Sequence, residues 1–160
     1  MEMGGEDRIQ AARAAVWAAL NDPEVLKTCI PGCQELEKQS DTEFVARVTL
    51  KIGPVKATFK GKVQLSDVDA PARCTISGEG QGGIAGFAKG IAAVALEEDG
   101  DGMTILRYTA RADVGGKIAQ LGARLIDSTA AKLAAEFFAR FGEAMRSRAG
   151  MASGAAESGE

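Results

Sequence analysis

The sequence predicts an α+β fold in which a curved antiparallel sheet of about seven strands wraps around one long C-terminal helix, with two short helices after the first strand. Two observations carry that expectation. From Lys117 to Arg148, Ile118, Leu121, Leu125, Thr129, Leu133, Phe137, Phe141 and Met145 follow one another at steps of three or four, with Ile126 and Phe138 widening the stripe and no proline interrupting it. That is the period of an amphipathic helix, and about 28 helical residues at ~1.5 Å each make a rod ~42 Å long, so its stripe needs an equally long surface to lie on. From Phe44 to Val114 the period is two instead, strand after strand with no second long helix, and Gly115-Gly116 is the hinge between the two regions.

Taken in order, Met1 to Gly5 are expected to fray, and Glu6 to Gln10 to form a short first strand. Ala12 to Leu20 reads as a helix with Val16, Trp17 and Leu20 on one side. Asn21-Asp22-Pro23-Glu24 restarts a second helix: Asp22 can cap its free N–H groups, Pro23 fits the first helical position and Glu24 suits the dipole. Ile30-Pro31-Gly32 stops it, and a strand begins near Cys33. In Phe44 to Ile52, and again after the Gly53-Pro54 turn in Val55 to Ser66, apolar and polar residues alternate, giving a sheet dry on one face and wet on the other. Arg73 to Gly80, Phe87 to Glu97 and Thr104 to Val114 follow as strands, the last two separated by the acidic, glycine-rich turn Glu98 to Gly102. The domain is expected to span 1–148, with 149–160, small and polar, as a disordered tail.

The chain has 160 residues, a single-domain length, with 46% hydrophobic and 26% charged residues and a net charge of −3. Nucleic acid is therefore not an expected partner. Six basic residues against three acidic ones give Lys117–Arg148 a surplus of +3, which leaves −6 for the rest of a chain of net charge −3. Three cysteines, no signal-like apolar run and no membrane-length apolar run predict a cytoplasmic protein. Histidine is absent, which removes the commonest general base and metal ligand together, so no catalytic residue and no metal site is assigned and a non-catalytic role is expected.

Val16-Trp17 followed by Leu20-Asn21-Asp22-Pro23-Glu24-Val25-Leu26, then Cys29-Ile30-Pro31-Gly32-Cys33, Gly53-Pro54-Val55-Lys56 with Phe59 and Gly61, Gly78-Glu79-Gly80-Gln81-Gly82-Gly83 running into Gly86-Phe87-Ala88-Lys89-Gly90, and Gly115-Gly116-Lys117 with Ala119-Gln120-Leu121-Gly122 closely resemble the G-subunit family of carbon monoxide dehydrogenase. These blocks cover about Glu6 to Phe141. The resemblance implies a helix-grip (START-like) fold with a hydrophobic cavity between sheet and helix. It also implies an accessory of a molybdenum-containing carbon monoxide dehydrogenase or related hydroxylase, which helps bring that enzyme to the inner face of the membrane and couples it to lipid quinone. A quinone or other lipid is the implied ligand, with no covalently bound cofactor.

The residues themselves leave room for such a ligand. In the strand Phe87 to Glu97, one face carries Ala88, Gly90, Ala92, Val94 and Leu96, and in the next strand it carries Leu106, Tyr108, Ala110, Ala112 and Val114. Small residues facing a long helix either leave an apolar space or let backbone press on the helix through Gly122, Ala130 and Ala134. Facing and periodicity select Phe59, Val63, Ile76, Ala92, Tyr108, Ala110, Ala112, Leu121, Leu125, Ile126, Thr129 and Leu133 as the expected cavity wall. The Tyr108 hydroxyl either orients a carbonyl ligand or bonds to backbone, and Thr129 either faces the ligand or bonds the carbonyl four residues back.

Other motifs carry less. The glycines of Gly78 to Gly90 lack the strand–loop–helix context of a nucleotide loop and read as a bend in the sheet or a lip over the pocket. Cys29 and Cys33, with only Cys74 besides, read as packing thiols. Lys51, Lys56, Lys60 and Lys62, with Arg47, form a basic stripe on the wet face: a solvated surface, or a docking patch for an acidic enzyme surface or anionic headgroups. Two further functions stay open beside the carrier: a protein-binding assembly or recruitment factor with no ligand, and an enzyme of the polyketide-cyclase kind, which would need polar groups converging in the pocket.

Overall fold

In the computed structural model, residues 1–158 are described, with side chains through Arg148. Seven strands form one antiparallel sheet: β1 (Glu2–Ile9), β2 (Cys33–Ser40), β3 (Glu43–Ile52), β4 (Val55–Asp69), β5 (Arg73–Gln81), β6 (Phe87–Glu98) and β7 (Thr104–Gly115). Their spatial order is β1-β7-β6-β5-β4-β3-β2, so every neighbour is a sequence neighbour except β1, which closes the meander on β7. Helices α1 (Arg13–Leu20) and α2 (Pro23–Cys29) follow β1, and α3 (Ala123–Ser158) follows β7.

Local chemistry explains the starts. Asp22 accepts from the Glu24 amide at 3.0 Å, and Pro23 opens α2, as the sequence predicts. The same Asp22 also accepts from Arg148 at 3.1 Å, tying α3 to the head of α2.

Two expectations need correction. Residues 1–5 do not fray: β1 pairs with β7 from Glu2 opposite Arg111 to Ile9 opposite Thr104, and the Met1 ammonium donates to the Ala112 carbonyl at 3.0 Å. Gly4 and Gly5 allow this, since a Cβ there would stand 3.0 Å from the Tyr108 carbonyl oxygen and 3.1 Å from its ring. The long helix does not begin at Lys117: Lys117–Leu121 is a 3₁₀ turn, Gly122 takes φ +95°, and α3 starts at Ala123. A 3₁₀ turn also sets i and i+3 on one side, so the apolar spacing alone does not separate the two. Helix α3 continues past Arg148, whereas the expected disordered tail over 149–160 falls on side chains outside the described residues, and on Gly159 and Glu160, which lie outside them altogether.

Two separate cores pin α3 to the sheet. At one end Ile9, Val16, Ala19, Val25, Cys29, Leu96, Leu106, Phe141 and Met145 join the three helices to β1, β6 and β7. At the other, Ile52, Phe59, Ala85, Ile118 and Ile126 join the β3–β4 turn, the 3₁₀ turns at Gly83–Ala85 and Lys117–Leu121, and the first turn of α3. The space between them is not filled by side chains.

Candidate cavity between sheet and helices

Strand register makes the hollow. On the concave face, cross-strand rows bring small residues side by side: Ala46, Gly61, Gly80 and Ala88 in one row, then Val63, Gly78, Gly90 and Ala112 in the next, then Ile76, Ala92 and Ala110. Side chains standing off a sheet fill the layer above it, and glycines and alanines leave it empty. The rows beyond are large: Val48 beside Phe59 at one end, and Leu96 beside Leu106 at the other.

The result is a cavity of about 570 Å³. Its floor is those rows apart from Ala110, with Phe44, Leu65, Cys74 and Val94 around them. One wall comes from Trp17, Leu20 and Asn21 of α1 and its end, Leu26 and Ile30 of α2 and its end, and Leu36 of β2. Helix α3 contributes Phe137 and Phe138, and the Tyr108 ring stacks on Phe138 at 5.4 Å between centroids. Almost every surface is apolar. The Asn21 side chain already donates to the Trp17 carbonyl at 2.9 Å, and Glu79 and Lys89 are exposed residues of the convex face that border the glycine rows. A closed, dry void of about 570 Å³ at ~24 cal/mol per Å³ would cost ~14 kcal/mol, as much as a whole domain's stability. Such a space holds a guest or is wetted through its mouth.

The parity read from the sequence holds in β6 and β7, where Gly90 lies opposite Ala112 and Leu96 opposite Leu106. Of the twelve residues predicted for the wall, Phe59, Val63, Ile76, Ala92, Tyr108 and Ala112 line it. Six do not. Ala110 shares the concave parity but falls outside the lining, next to the β1 edge. Leu121, Leu125 and Ile126 pack into the core at the β3–β4 turn, and Thr129 and Leu133 line a separate groove with Pro31, Gly32 and Leu50. The first turns of α3 are stapled to the turn end of the sheet, so its cavity contact comes later along the helix. Thr129 donates to the Leu125 carbonyl at 2.8 Å, the helix back-bond. Nor does backbone press on the helix at Gly122, where a Cβ would meet nothing within 4 Å.

Sequence reasoning missed the α1–α2 wall and the Phe137-Phe138 doublet. The doublet was the available signal, because adjacent helical residues point about 100° apart and only one of them can follow the core stripe. The Tyr108 hydroxyl lies over Gly5 and makes no hydrogen bond among the described residues. The basic stripe is split: Lys62 pairs with Glu43 at 3.1 Å and Arg47 with Glu35 at 2.9 Å, whereas Lys51, Lys56 and Lys60 have no ion pair among the described residues. Burial pushes the thiols of Cys29, Cys33 and Cys74 up from their ordinary value, and among the described residues no three metal-binding side chains gather.

The family model for the G subunit of carbon monoxide dehydrogenase (CoxG) matches residues 5–146. The chain belongs to that family. Among solved structures, this CoxG family member is similar to a conserved protein from Geobacillus kaustophilus, with 28% identity, 92% of this chain and 96% of that one covered, and a TM-score of 0.85. A START superfamily protein from Mycobacterium smegmatis aligns at 10% identity over 91% and 97% of the two chains, TM-score 0.70. The Zhui aromatase/cyclase from a Streptomyces species aligns at 12% identity over 93% and 95%, TM-score 0.71. The last two establish the helix-grip fold and nothing further. A comparison with curated proteins finds no match. Among the described residues no helix is long and apolar enough to cross a membrane.

Proposed function

We propose that the protein is a non-catalytic carrier that holds a long apolar molecule, a quinone or similar lipid, in the cavity between sheet and helices. On this reading it serves as an accessory to a molybdenum-containing carbon monoxide dehydrogenase or a related hydroxylase. The observation that carries the reading is the apolar cavity of about 570 Å³, within the roughly 300–1,000 Å³ range of small-molecule sites. Membership of the CoxG family supports the accessory role. Each 100 Å² of ligand surface removed from water contributes about 2.5 kcal/mol, so affinity comes from area and selectivity from length and shape. A cyclase-like reaction would need acid and base groups converging on the guest. Among the described residues no aspartate, arginine or histidine lines the cavity.

The test is twofold. Organic-solvent extracts of the purified protein, read by mass spectrometry, are expected to contain a stoichiometric apolar molecule. After delipidation, a short-chain ubiquinone analogue is expected to bind saturably, raise the melting temperature and protect Cys74, the one cysteine in the cavity wall, from a thiol reagent while Cys33 stays reactive. An empty extract together with no saturable protection overturns the carrier.

A further inference from the structure

A second hollow, of about 530 Å³, lies beside the cavity, with Pro31, Gly32 and Leu50 on one side and Thr129, Leu133 and Glu136 of α3 on the other. Three elements pass from one hollow into the other within a few residues. On the α2–β2 connection Ile30 lines the cavity and Pro31 the groove. On β3 Val48 lines the cavity, and Thr49 and Leu50 the groove. On α3 Phe137 lines the cavity, and Glu136 and Leu133 the groove. Ile30, Val48, Leu50, Leu133 and Phe137, all half-buried, stand where the two meet. Other sides are held shut by packing or by a strap. Phe59, Ile118 and Ile126 are buried at one end, and Leu96, Leu106 and Phe141 at the other. Between β2 and the α1–α2 corner, Lys38 donates to the Asn21 carbonyl at 3.3 Å and stands 5.5 Å over the Phe44 ring.

The two hollows differ in polarity. The cavity wall is apolar, whereas the groove carries Lys51, Lys132 and Glu136, none with an ion pair among the described residues. Its Ser128 and Thr129 hydroxyls are spent on the Leu125 carbonyl. Backbone adds a donor and an acceptor. Pairing of β2 with β3 ends at Cys33 opposite Val48, and the Thr49 N–H turns away from β4 to reach the Gly32 carbonyl at 2.9 Å. Residues two apart on an antiparallel strand turn their amides the same way, so the Lys51 N–H and carbonyl also face outward, with no backbone partner on that side among the described residues.

We propose that this groove is the mouth of the cavity and the seat of the polar end of an amphiphilic guest, whose apolar tail passes Leu50 and Leu133 and reaches toward Trp17. A carbonyl or carboxylate oxygen in the groove meets the Lys51 N–H and the ammonium groups of Lys51 and Lys132, with Glu136 leaving one net positive charge. Turned the other way, that oxygen would lose its water against an apolar wall that offers only the Tyr108 hydroxyl and the Cys74 thiol. The inference rests on the carrier reading and adds the door and the direction of entry.

Trp17, the chain's only tryptophan, stands in the cavity wall, so its fluorescence reports the guest directly. Stearic acid carrying a nitroxide near its methyl end is expected to quench Trp17 at saturation about threefold or more above stearic acid labelled near the carboxyl, because polar groups at the mouth fix the orientation. Thr129→Phe and Glu136→Phe, made singly, narrow the groove. Each is expected to slow both uptake and release of the methyl-end probe about tenfold or more in stopped flow, with Kd moved less than about threefold, since a barrier on the path acts on both directions alike. Leu133→Ala is expected to speed both about threefold. Ala131→Phe, at an exposed position of the same helix outside the groove, is expected to change either rate less than about twofold. A wild type that binds neither probe overturns the carrier reading and this mouth with it. Saturable binding whose rates the groove variants leave unchanged, or whose affinity they weaken without slowing uptake, overturns the mouth and leaves the carrier standing. Equal or stronger quenching by the carboxyl-end label overturns the tail-first orientation.

Discussion

Strands β6 and β7 run through two kinds of interior. Near one end, Leu96 and Leu106 face each other and meet Phe141 and Met145 of α3, 0% and 3% exposed. Further along the same ladder, Ala92 faces Ala110 and Gly90 faces Ala112, and Gly90, Ala92 and Ala112 border the cavity instead. Fold, helix and sheet are common to both places; only side-chain volume differs. A sheet and a helix held apart by large residues at the ends cannot close over small residues in the middle, because bringing the helix down would overpack both cores.

The sharpest way to break this comparison is to hollow the filled end. Phe141→Ala is expected to cost about 3–5 kcal/mol, read as the shift in urea midpoint, because the end cores are what hold the helix. A cost under about 1 kcal/mol would mean that the helix is held elsewhere.

One substitution made in both regions separates them more finely. Ala19→Leu, at a position with 0% exposure in the filled core, is expected to cost about 1–3 kcal/mol through overpacking. Ala112→Leu points into the cavity and is expected to cost less than about 1 kcal/mol while weakening apolar-probe binding at least about tenfold. Equal costs at the two positions, from paired denaturation curves, would show the cavity to be packed in solution.

Smaller still is Tyr108→Phe. The hydroxyl bonds nothing among the described residues, so stability is expected to change by less than about 0.5 kcal/mol. A larger loss in quinone affinity than in affinity for a hydrocarbon probe would assign that hydroxyl to the guest.

Asp7 gives the finest contrast, being half-buried opposite Leu106 at the edge of the filled end, where burial pushes its carboxyl above the usual 3.8. The folded protein therefore holds that proton more tightly than the unfolded chain does. The resulting stability is present below 3.8 and is lost as pH rises through the raised value. Asp7→Asn is expected to be slightly more stable than the wild type at neutral pH, with the difference shrinking in acid. A less stable variant at neutral pH would mean that the ionised carboxylate has a favourable partner.

Much of the site was legible in the β6 and β7 strands, because alternation fixes which face a residue takes and residue size then says whether that face is filled. The helix side was not legible. Leu121, Leu125, Ile126 and Leu133 fit the stripe as well as Phe137 and Phe138 do, and periodicity cannot say at which turn a helix leaves the sheet. That depends on Ile118 and Ile126 being anchored to Ile52 and Ala85, a contact between residues far apart in the chain.

By itself the sequence determined the order of elements, the wet and dry faces of the sheet and the family, since each rests on local spacing or on contiguous motifs. Tertiary structure alone decided that small residues of five strands fall into shared rows, that α1 and α2 wall one side, and that Ile52, Ala85, Ile118 and Ile126 gather at one end. Local pattern fixes which way each side chain points, but the volume left between elements is set by the largest residues that hold them apart, and those lie at the two ends of the sheet.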